Sequence, residues 1–292
     1  MKELAAIPRV PAVAILAGRG KLPVEGIKRA AAAGRPVVVV AVVPGVAGEL
    51  AGLATIYREI PFPQWQDVVS CLQFNNVTSC YFLGKIEKRD ALLPGVSWDE
   101  RGRRVMAATQ LRSDDVLLAA FADDLASAGI ELRPQPELLS DLLAPPGVWT
   151  GDELSPAEQT DIVYGYRLAR VIADLDVGQT VVVKDGAVVA VEAIEGTDAC
   201  LIRGAELAGA GAVAVKVAGE SQDPRFDMPT VGPDTFNVLK ERDFRVLAVE
   251  AGRTLVLDRN YLVAAAREAG VKLVGWPLEG EGDGTRDAGG CR

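Results

Sequence analysis

An α/β protein of two domains is what the sequence predicts, an N-terminal parallel sheet followed by a C-terminal α/β domain with a mixed sheet. Three observations carry the prediction. Strand-length apolar runs alternate with helical patterns through the first half, the βαβα order that produces a parallel sheet covered by helices. The stretch "LAPPGVWTGDELSPAE" (143–158) interrupts that rhythm with paired prolines, Gly147 and a fresh helix start. Beyond it, "QTVVVKDGAVVAVEAIEGTD" sets two Val-rich runs on either side of Asp185-Gly186, a hairpin signal. The expected divisions are residues 1–145, residues 146–278 and a disordered Gly- and charge-rich tail over 279–292.

The elements follow in order. "AVAIL" (12–16) reads as a strand, 23–33 as a helix, and "PVVVVAVV" (36–43) as a strand buried on both faces. A helix over 64–74 precedes the strand "SCYFLG" (79–84). One long helix over 103–128, a short strand "IELRP" and a helix over 135–143 complete the first domain. In the second, Ser155 caps a helix that runs from Pro156 to about residue 173. After the hairpin come a helix (198–209), a strand (212–218), a helix (233–242), strands at 244–250 and 253–257, a helix (259–269) and a last strand (271–275).

Composition removes several function classes. The 292 residues contain no histidine, which excludes His-based metal sites and Ser-His-Asp or Cys-His catalysis. Cys71, Cys80, Cys200 and Cys291 lack metal-ligand spacing. A net charge of −9 argues against non-specific nucleic-acid binding. No apolar run approaches the roughly 18–20 residues of a membrane span, and the N-terminus reads as the lead-in to a first strand rather than a signal peptide. A cytoplasmic protein is expected. Any catalysis must use carboxylates, lysines, hydroxyls, backbone amides or an oxygen-ligated metal.

Several segments could carry that chemistry. "LAGRGKLP" (16–23) places Gly18, Arg19 and Gly20 after the first strand, with Pro23 where a dinucleotide fingerprint would have its third glycine. Either the turn's backbone amides approach a ligand, or the glycines serve a tight turn. Lys85 in "FLGKIEK" is open between a phosphate contact and solvent, and Asp114 and Asp115 between a solvated helix face and a metal. In "VEAIEGTDA", Glu195, Gly196, Thr197 and Asp198 meet at a strand end. They read either as a capping segment, with Thr197 or Asp198 as the N-cap, or as the seat of a phosphate held through a divalent cation.

The stretch "VKVAGESQDPRFDMPTVGPDT" (215–235) is the most charged. Strands ending near 195 and 218 are expected to be sheet neighbours whose loops bring Glu195, Asp198, Asp223 and Asp227 together with Lys216 and Arg225. Clustered carboxylates need a cation among them, and without histidine Mg²⁺ or Mn²⁺ is the natural ion, while Arg225 can hold a phosphate. An Arg–Asp structural network in a proline-stiffened loop is the competing reading. Asp234, beside Pro233, reads as a first-turn residue of the next helix.

These segments, with "RVLAVEAGRTLVLDR", resemble the LpxI type of UDP-2,3-diacylglucosamine pyrophosphatase from about residue 12 to 276. The resemblance implies a Rossmann-like N-terminal domain, a C-terminal α/β domain of its own type, a substrate cleft between them and a homodimer. It implies Mg²⁺-dependent hydrolysis of UDP-2,3-diacylglucosamine to UMP and 2,3-diacylglucosamine 1-phosphate, a cytoplasmic step of lipid A synthesis with weak peripheral contact at the inner face of the membrane. The family's essential aspartate falls on Asp227, with Asp223, Arg225 and Lys216 as expected helpers and Asp227 with Glu195 as expected metal ligands. Gly18, Arg19, Gly20, Lys85, Glu195, Gly196, Thr197, Asp198 and Thr230 are the expected substrate contacts. The alternatives are a non-catalytic nucleotide-sugar or lipid-binding protein using the same residues and, suggested only by the glycine turn, a nucleotide-dependent oxidoreductase.

Overall fold

The computed structural model describes residues 11–86, 97–109, 114–220 and 222–277. The tail over 279–292, Cys291, and the side chains of Asp114 and Asp115 lie outside the described residues. The chain divides into two compact units, Met1–Ser140 with Asp223–Phe226, and Asp141–Gln222 with Asp227–Arg292. The chain therefore changes units twice within the charged loop, before Asp223 and after Phe226.

In the N-terminal unit the strands are β1 (Val13–Ala17), β2 (Val37–Ala41), β3 (Ile56–Glu59), β4 (Ser79–Leu83) and β5 (Glu131–Leu132). Among the described residues they form a wholly parallel sheet in the order β3-β2-β1-β4-β5. The unbroken aliphatic residues of β1 and β2 are buried at every position, as a sheet covered on both faces requires. The helices are α1 (Leu22–Ala32), α2 (Ala47–Leu53), α3 (Trp65–Phe74), α4 (Glu100–Ala108), α5 (Asp114–Ser127) and α6 (Gln135–Leu139).

Two expectations change here. The single helix over 103–128 is two: Asp99 caps α4 by accepting from Gly102 N at 2.7 Å, and Thr109 ends it in an extended conformation. Apolar spacing that continues from α4 into α5 conceals the break. The short pair α2 and β3 is not visible in the sequence, because Gly48 and Gly52 dilute the helical period and β3 is an edge strand of half-buried and exposed residues.

The C-terminal unit opens with β6 (Gly147–Val148) and α7 (Pro156–Asp174). Ser155 caps α7 as expected, and with Glu158 it forms a capping box. There follow the hairpin β7 (Thr180–Lys184) and β8 (Ala187–Val191), α8 (Thr197–Ala208), β9 (Val213–Lys216), β10 (Thr230–Val231), α9 (Pro233–Glu241), β11 (Val246–Glu250), β12 (Leu255–Val256), α10 (Arg259–Ala269) and β13 (Lys272–Trp276). Asp185 and Gly186 both take positive φ, 50° and 80°, as a primed hairpin turn needs. The buried carboxylate of Asp161 accepts both of their amide hydrogens, at 3.1 and 2.7 Å.

Among the described residues the main sheet runs β6-β13-β11-β9-β7-β8 and is mixed. Ile162, Tyr166 and Ala169 of α7 pack on one face, while Leu201, Phe236 and Leu262 from α8, α9 and α10 pack on the other. Strands β8 and β9 are not neighbours as expected. β7 lies between them and is antiparallel to both, so their carboxyl ends still coincide at one edge of the sheet.

Candidate functional site

That edge gathers charge. Thr180, the first residue of β7, pairs with Lys216, the last of β9, and Glu192 N donates to Thr180 O at 2.8 Å. Glu192, Thr180 and Lys216 thus form one row across the strand ends. The Lys216 ammonium is buried and donates to Thr197 Oγ1 at 2.9 Å and Thr180 Oγ1 at 3.5 Å, with Glu192 Oε2 at 3.8 Å. Thr197 Oγ1 donates in turn to Glu192 Oε1 at 2.9 Å.

Helix α8 begins at this row. Its N-cap is Gly196, at φ 84°, and not Thr197 or Asp198 as expected. With a glycine supplying the strained cap conformation, Thr197 becomes the first helical residue and its hydroxyl is spent on Lys216 and Glu192. No side chain caps the helix, so its first amides and the positive end of its dipole accompany the ammonium, an arrangement suited to an anion. Asp198 Oδ1 accepts from Thr235 Oγ1 at 3.2 Å and ties the start of α8 to that of α9.

Asp227 belongs to the same unit. Its Oδ2 accepts from Gln179 Nε2 at 3.1 Å and from Gln222 Nε2 at 2.8 Å. The side chain meets solvent, yet protein crowds around its carboxyl. Desolvation from that crowding holds the group above the usual aspartate value. The charge of Lys216 and the two amide donors pull the other way, and Asp176 adds a small upward push. The carboxylate with the perturbed titration and the buried ammonium are therefore electrostatic neighbours, the pairing expected of a reactive centre.

Other expected residues have different employment. Glu195, expected beside Asp227 as a metal ligand, is paired instead with Arg203 at 2.5 Å and accepts from Ala193 N at 3.1 Å. The Arg203 bond and the turn's own amides lower its pKa. Glu192, three residues earlier, is the carboxylate that faces Lys216. Thr230 Oγ1 donates to Met228 O at 3.0 Å.

Asp223 and Arg225 lie in the segment that belongs to the N-terminal unit. Arg225 Nε donates to both Asp223 oxygens at 3.0 Å and Nη2 to Oδ2 at 2.6 Å, and the guanidinium lies 5.0 Å from the Phe226 ring centre. Desolvation raises the Asp223 pKa, but the Arg225 side chain and amide outweigh it and the net direction is down. The Arg–Asp structural network is thus realised at this pair, with Nη1 left without a partner among the described residues. Gln135, which the sequence did not single out, anchors the segment. It is buried, its Nε2 donates to Phe82 O at 2.8 Å and Phe226 O at 3.0 Å, and its backbone N donates to Pro224 O at 2.9 Å.

At the switch point of the parallel sheet, between β1 and β4, the chain segments Gly18–Arg19 and Gly84–Lys85 cross closely. Arg19 and Lys85 exchange backbone hydrogen bonds at 2.9 Å, and Gly18 N donates to Leu83 O at 2.8 Å. A Cβ on Gly18 would stand 2.6 Å from Lys85 O, so this glycine is explained by backbone contact. Gly20 takes φ 96° with open space around it, and Lys85 is exposed.

A buried network that the sequence did not reveal supports the loop after β9. Glu250, at the end of β11, accepts from Ala218 N at 2.9 Å, from Tyr166 OH at 3.2 Å and from Arg170, whose Nη1 donates to Ala218 O at 2.6 Å. Arg253 donates to Gly219 O, and Asp174 Oδ1 accepts from Glu220 N at 2.5 Å.

Among the described residues no group of three or more acidic or thiol side chains converges as a metal cage would require. Asp227 alone fits an Mg²⁺ that draws its other ligands from phosphate and water, the usual way this ion binds.

Solved structures resemble the chain only slightly. The biotin carboxylase subunit of pyruvate carboxylase gives a TM-score of 0.28 at 13% identity over 59% of this chain. The biotin carboxylase domain of the Hydrogenobacter thermophilus 2-oxoglutarate carboxylase gives 0.28 at 10% identity over 61%. The chain spans 35% and 36% of those proteins, and likenesses this slight carry no argument. Sequence relationships are firmer. The UDP-2,3-diacylglucosamine pyrophosphatase LpxI of Caulobacter vibrioides is 31% identical over 274 residues, 89% of this chain and 96% of that protein. The family models described as LpxI N-terminal domain and LpxI C-terminal domain match residues 12–142 and 145–274. With both domain models matched in order and a relative aligned over nearly its whole length, the chain belongs to the LpxI family.

Proposed function

We propose that this protein hydrolyses the pyrophosphate bond of UDP-2,3-diacylglucosamine, giving UMP and 2,3-diacylglucosamine 1-phosphate, in lipid A biosynthesis. The observation that carries the reading is the pairing of Asp227, a crowded carboxylate with a raised pKa, with the buried ammonium of Lys216 at the start of α8. A diphosphate ester needs its charge neutralised before water can attack phosphorus. Lys216 and the first amides of α8 supply positive potential for one phosphate group. Glu192 and Thr197 hold Lys216 in place. Asp227 orients the attacking water and accepts its proton as the new P–O bond forms and the bridging P–O bond breaks. Mg²⁺ or Mn²⁺, when bound, would add charge neutralisation on the diphosphate oxygens, with Asp227 as the residue that would hold it. The two acyl chains of the substrate place this work at a membrane surface. Among the described residues no helix is long and apolar enough to cross the bilayer.

Purified protein incubated with UDP-2,3-diacylglucosamine and Mg²⁺ should release UMP, and chelator should stop the release. Asp227→Ala should bring turnover to background while substrate still binds. Full turnover by that variant would remove Asp227 from the chemistry. Tight substrate binding by the wild type, with no UMP under any divalent ion, would show a binding protein instead. Heavy-oxygen water would show which phosphorus is attacked, by labelling either UMP or the sugar phosphate.

A further inference from the structure

The Asp227 carboxylate is held by one side. Both Gln179 Nε2 and Gln222 Nε2 donate to Oδ2, at 3.1 and 2.8 Å, and among the described residues no hydrogen bond reaches Oδ1. The orientation of the Gln222 amide is fixed by a second bond, because its Oε1 accepts from Gly219 N at 3.0 Å. Turning that amide over would set NH₂ against N–H and a carbonyl against a carboxylate. Gln179 is fixed by its backbone: its carbonyl accepts from Val217 N at 3.0 Å and its N–H donates to Glu192 Oε2 at 3.3 Å. Behind Gly219 stands the Arg170–Glu250 pair, which grips Ala218 through both its N–H and its C=O. A continuous set of hydrogen bonds therefore runs from the buried Glu250 through residues 218 and 219 and Gln222 to Asp227.

We infer that Gln222 and Gln179 are positioning residues that clamp Asp227 through Oδ2, leaving Oδ1 as the oxygen that acts in the reaction. The inference rests on the hydrolase function proposed above. Two donors on one oxygen fix the plane of the carboxylate, and a charged acceptor makes each bond stronger than a neutral pair. A carboxylate displaced or rotated at this point would lose rate without losing substrate affinity.

The full-length chain with Gln222→Glu, Gln222→Leu and Gln179→Leu tests this. Gln222→Glu keeps the acceptor for Gly219 N and sets a second carboxylate oxygen against Asp227 in place of the donor, so it breaks the clamp while the loop contact stands. All three should lower kcat about 10- to 100-fold with KM within about twofold, as loss of a transition-state interaction does. Wild-type kcat in Gln222→Glu, or a raised KM with unchanged kcat, would overturn the clamp. Melting of Gln222→Leu, Asp227→Ala and the double variant gives a readout independent of activity. The double variant should depart from additivity by about 1 °C or more. If the wild type released no UMP, that coupling would still report the clamp while the hydrolase reading fell. Additive melting together with normal kinetics would remove the clamp and leave the hydrolase reading standing.

Discussion

Removing both partners of the Glu250–Arg170 pair should destabilise the C-terminal unit less than the two single removals added together. The Arg170 and Glu250 side chains are 16% and 6% exposed, so solvent screening takes little from the effect. Glu250→Leu leaves the guanidinium without its anion and Ala218 N without an acceptor. Arg170→Met leaves the carboxylate with only the more exposed guanidinium of Arg253, 3.7 Å away, and Ala218 O without a donor. Each single change costs about 3–5 kcal/mol, the usual effect of leaving a buried charge uncompensated. Independent effects would therefore sum to roughly 6–10 kcal/mol. The double variant orphans neither member of the pair but leaves Ala218 N, Ala218 O and the Tyr166 hydroxyl without these partners, about 1–3 kcal/mol each. Its cost centres on about 6 kcal/mol, below the midpoint of about 8 kcal/mol for the sum. Thermal or urea unfolding of the wild type, both singles and the double checks this, with each kcal/mol moving the melting point by about 2–4 °C in a domain of this size. A double variant that loses as much as the two singles added together would refute the reasoning, since no compensation between the charges would then exist.

Other expected outcomes follow from the same coordinates. Asp227→Asn should abolish turnover yet raise the melting point at pH 8. A carboxyl whose folded pKa lies above its unfolded value costs stability when ionised, and the gain should vanish as the pH falls below the ordinary aspartate value of about 4. Asp223→Asn should do the reverse. Its pKa is lowered in the folded protein, so it contributes stability above the unfolded aspartate value. That contribution is lost as the pH falls through the folded pKa, and the gap between wild type and variant should close in acid. Gly18→Ala should destabilise the N-terminal unit by about 1–3 kcal/mol in denaturant titration, since its Cβ would meet backbone at 2.6 and 2.9 Å that no side-chain motion can clear. Asp161→Ala should cost about 1–3 kcal/mol by leaving the hairpin amides of Asp185 and Gly186 without their acceptor.

Much of the fold was legible because its signals are local. The unbroken apolar runs of β1 and β2, the Ser155 cap and the Asp185-Gly186 turn each depend on residues within a few positions of one another. The break between α4 and α5 was not legible, since a helix end without glycine or proline leaves the apolar period intact. The candidate site divided in the same way. The family resemblance singled out Asp227, and Lys216 stood in the same charged stretch of a chain without histidine. Glu192 and Glu195 could not be told apart in role, because both stand beside a strand end and only the turn's geometry turns Glu195 back onto Arg203.

The sequence by itself determined the α/β class, the excluded chemistries and the family, and through the family resemblance it pointed to Asp227. Only the tertiary structure decided what each charge does. It inserted β7 between β8 and β9, so that Glu192, Thr180 and Lys216 line up across three strands. It gave Asp223 and Arg225 to one unit and Asp227 to the other. It also brought Gln179 onto Asp227 from 48 positions away. The physical reason is range. Backbone preferences and apolar periods act within a few residues, whereas a carboxylate's partners are chosen by strand order and register, which no local pattern records.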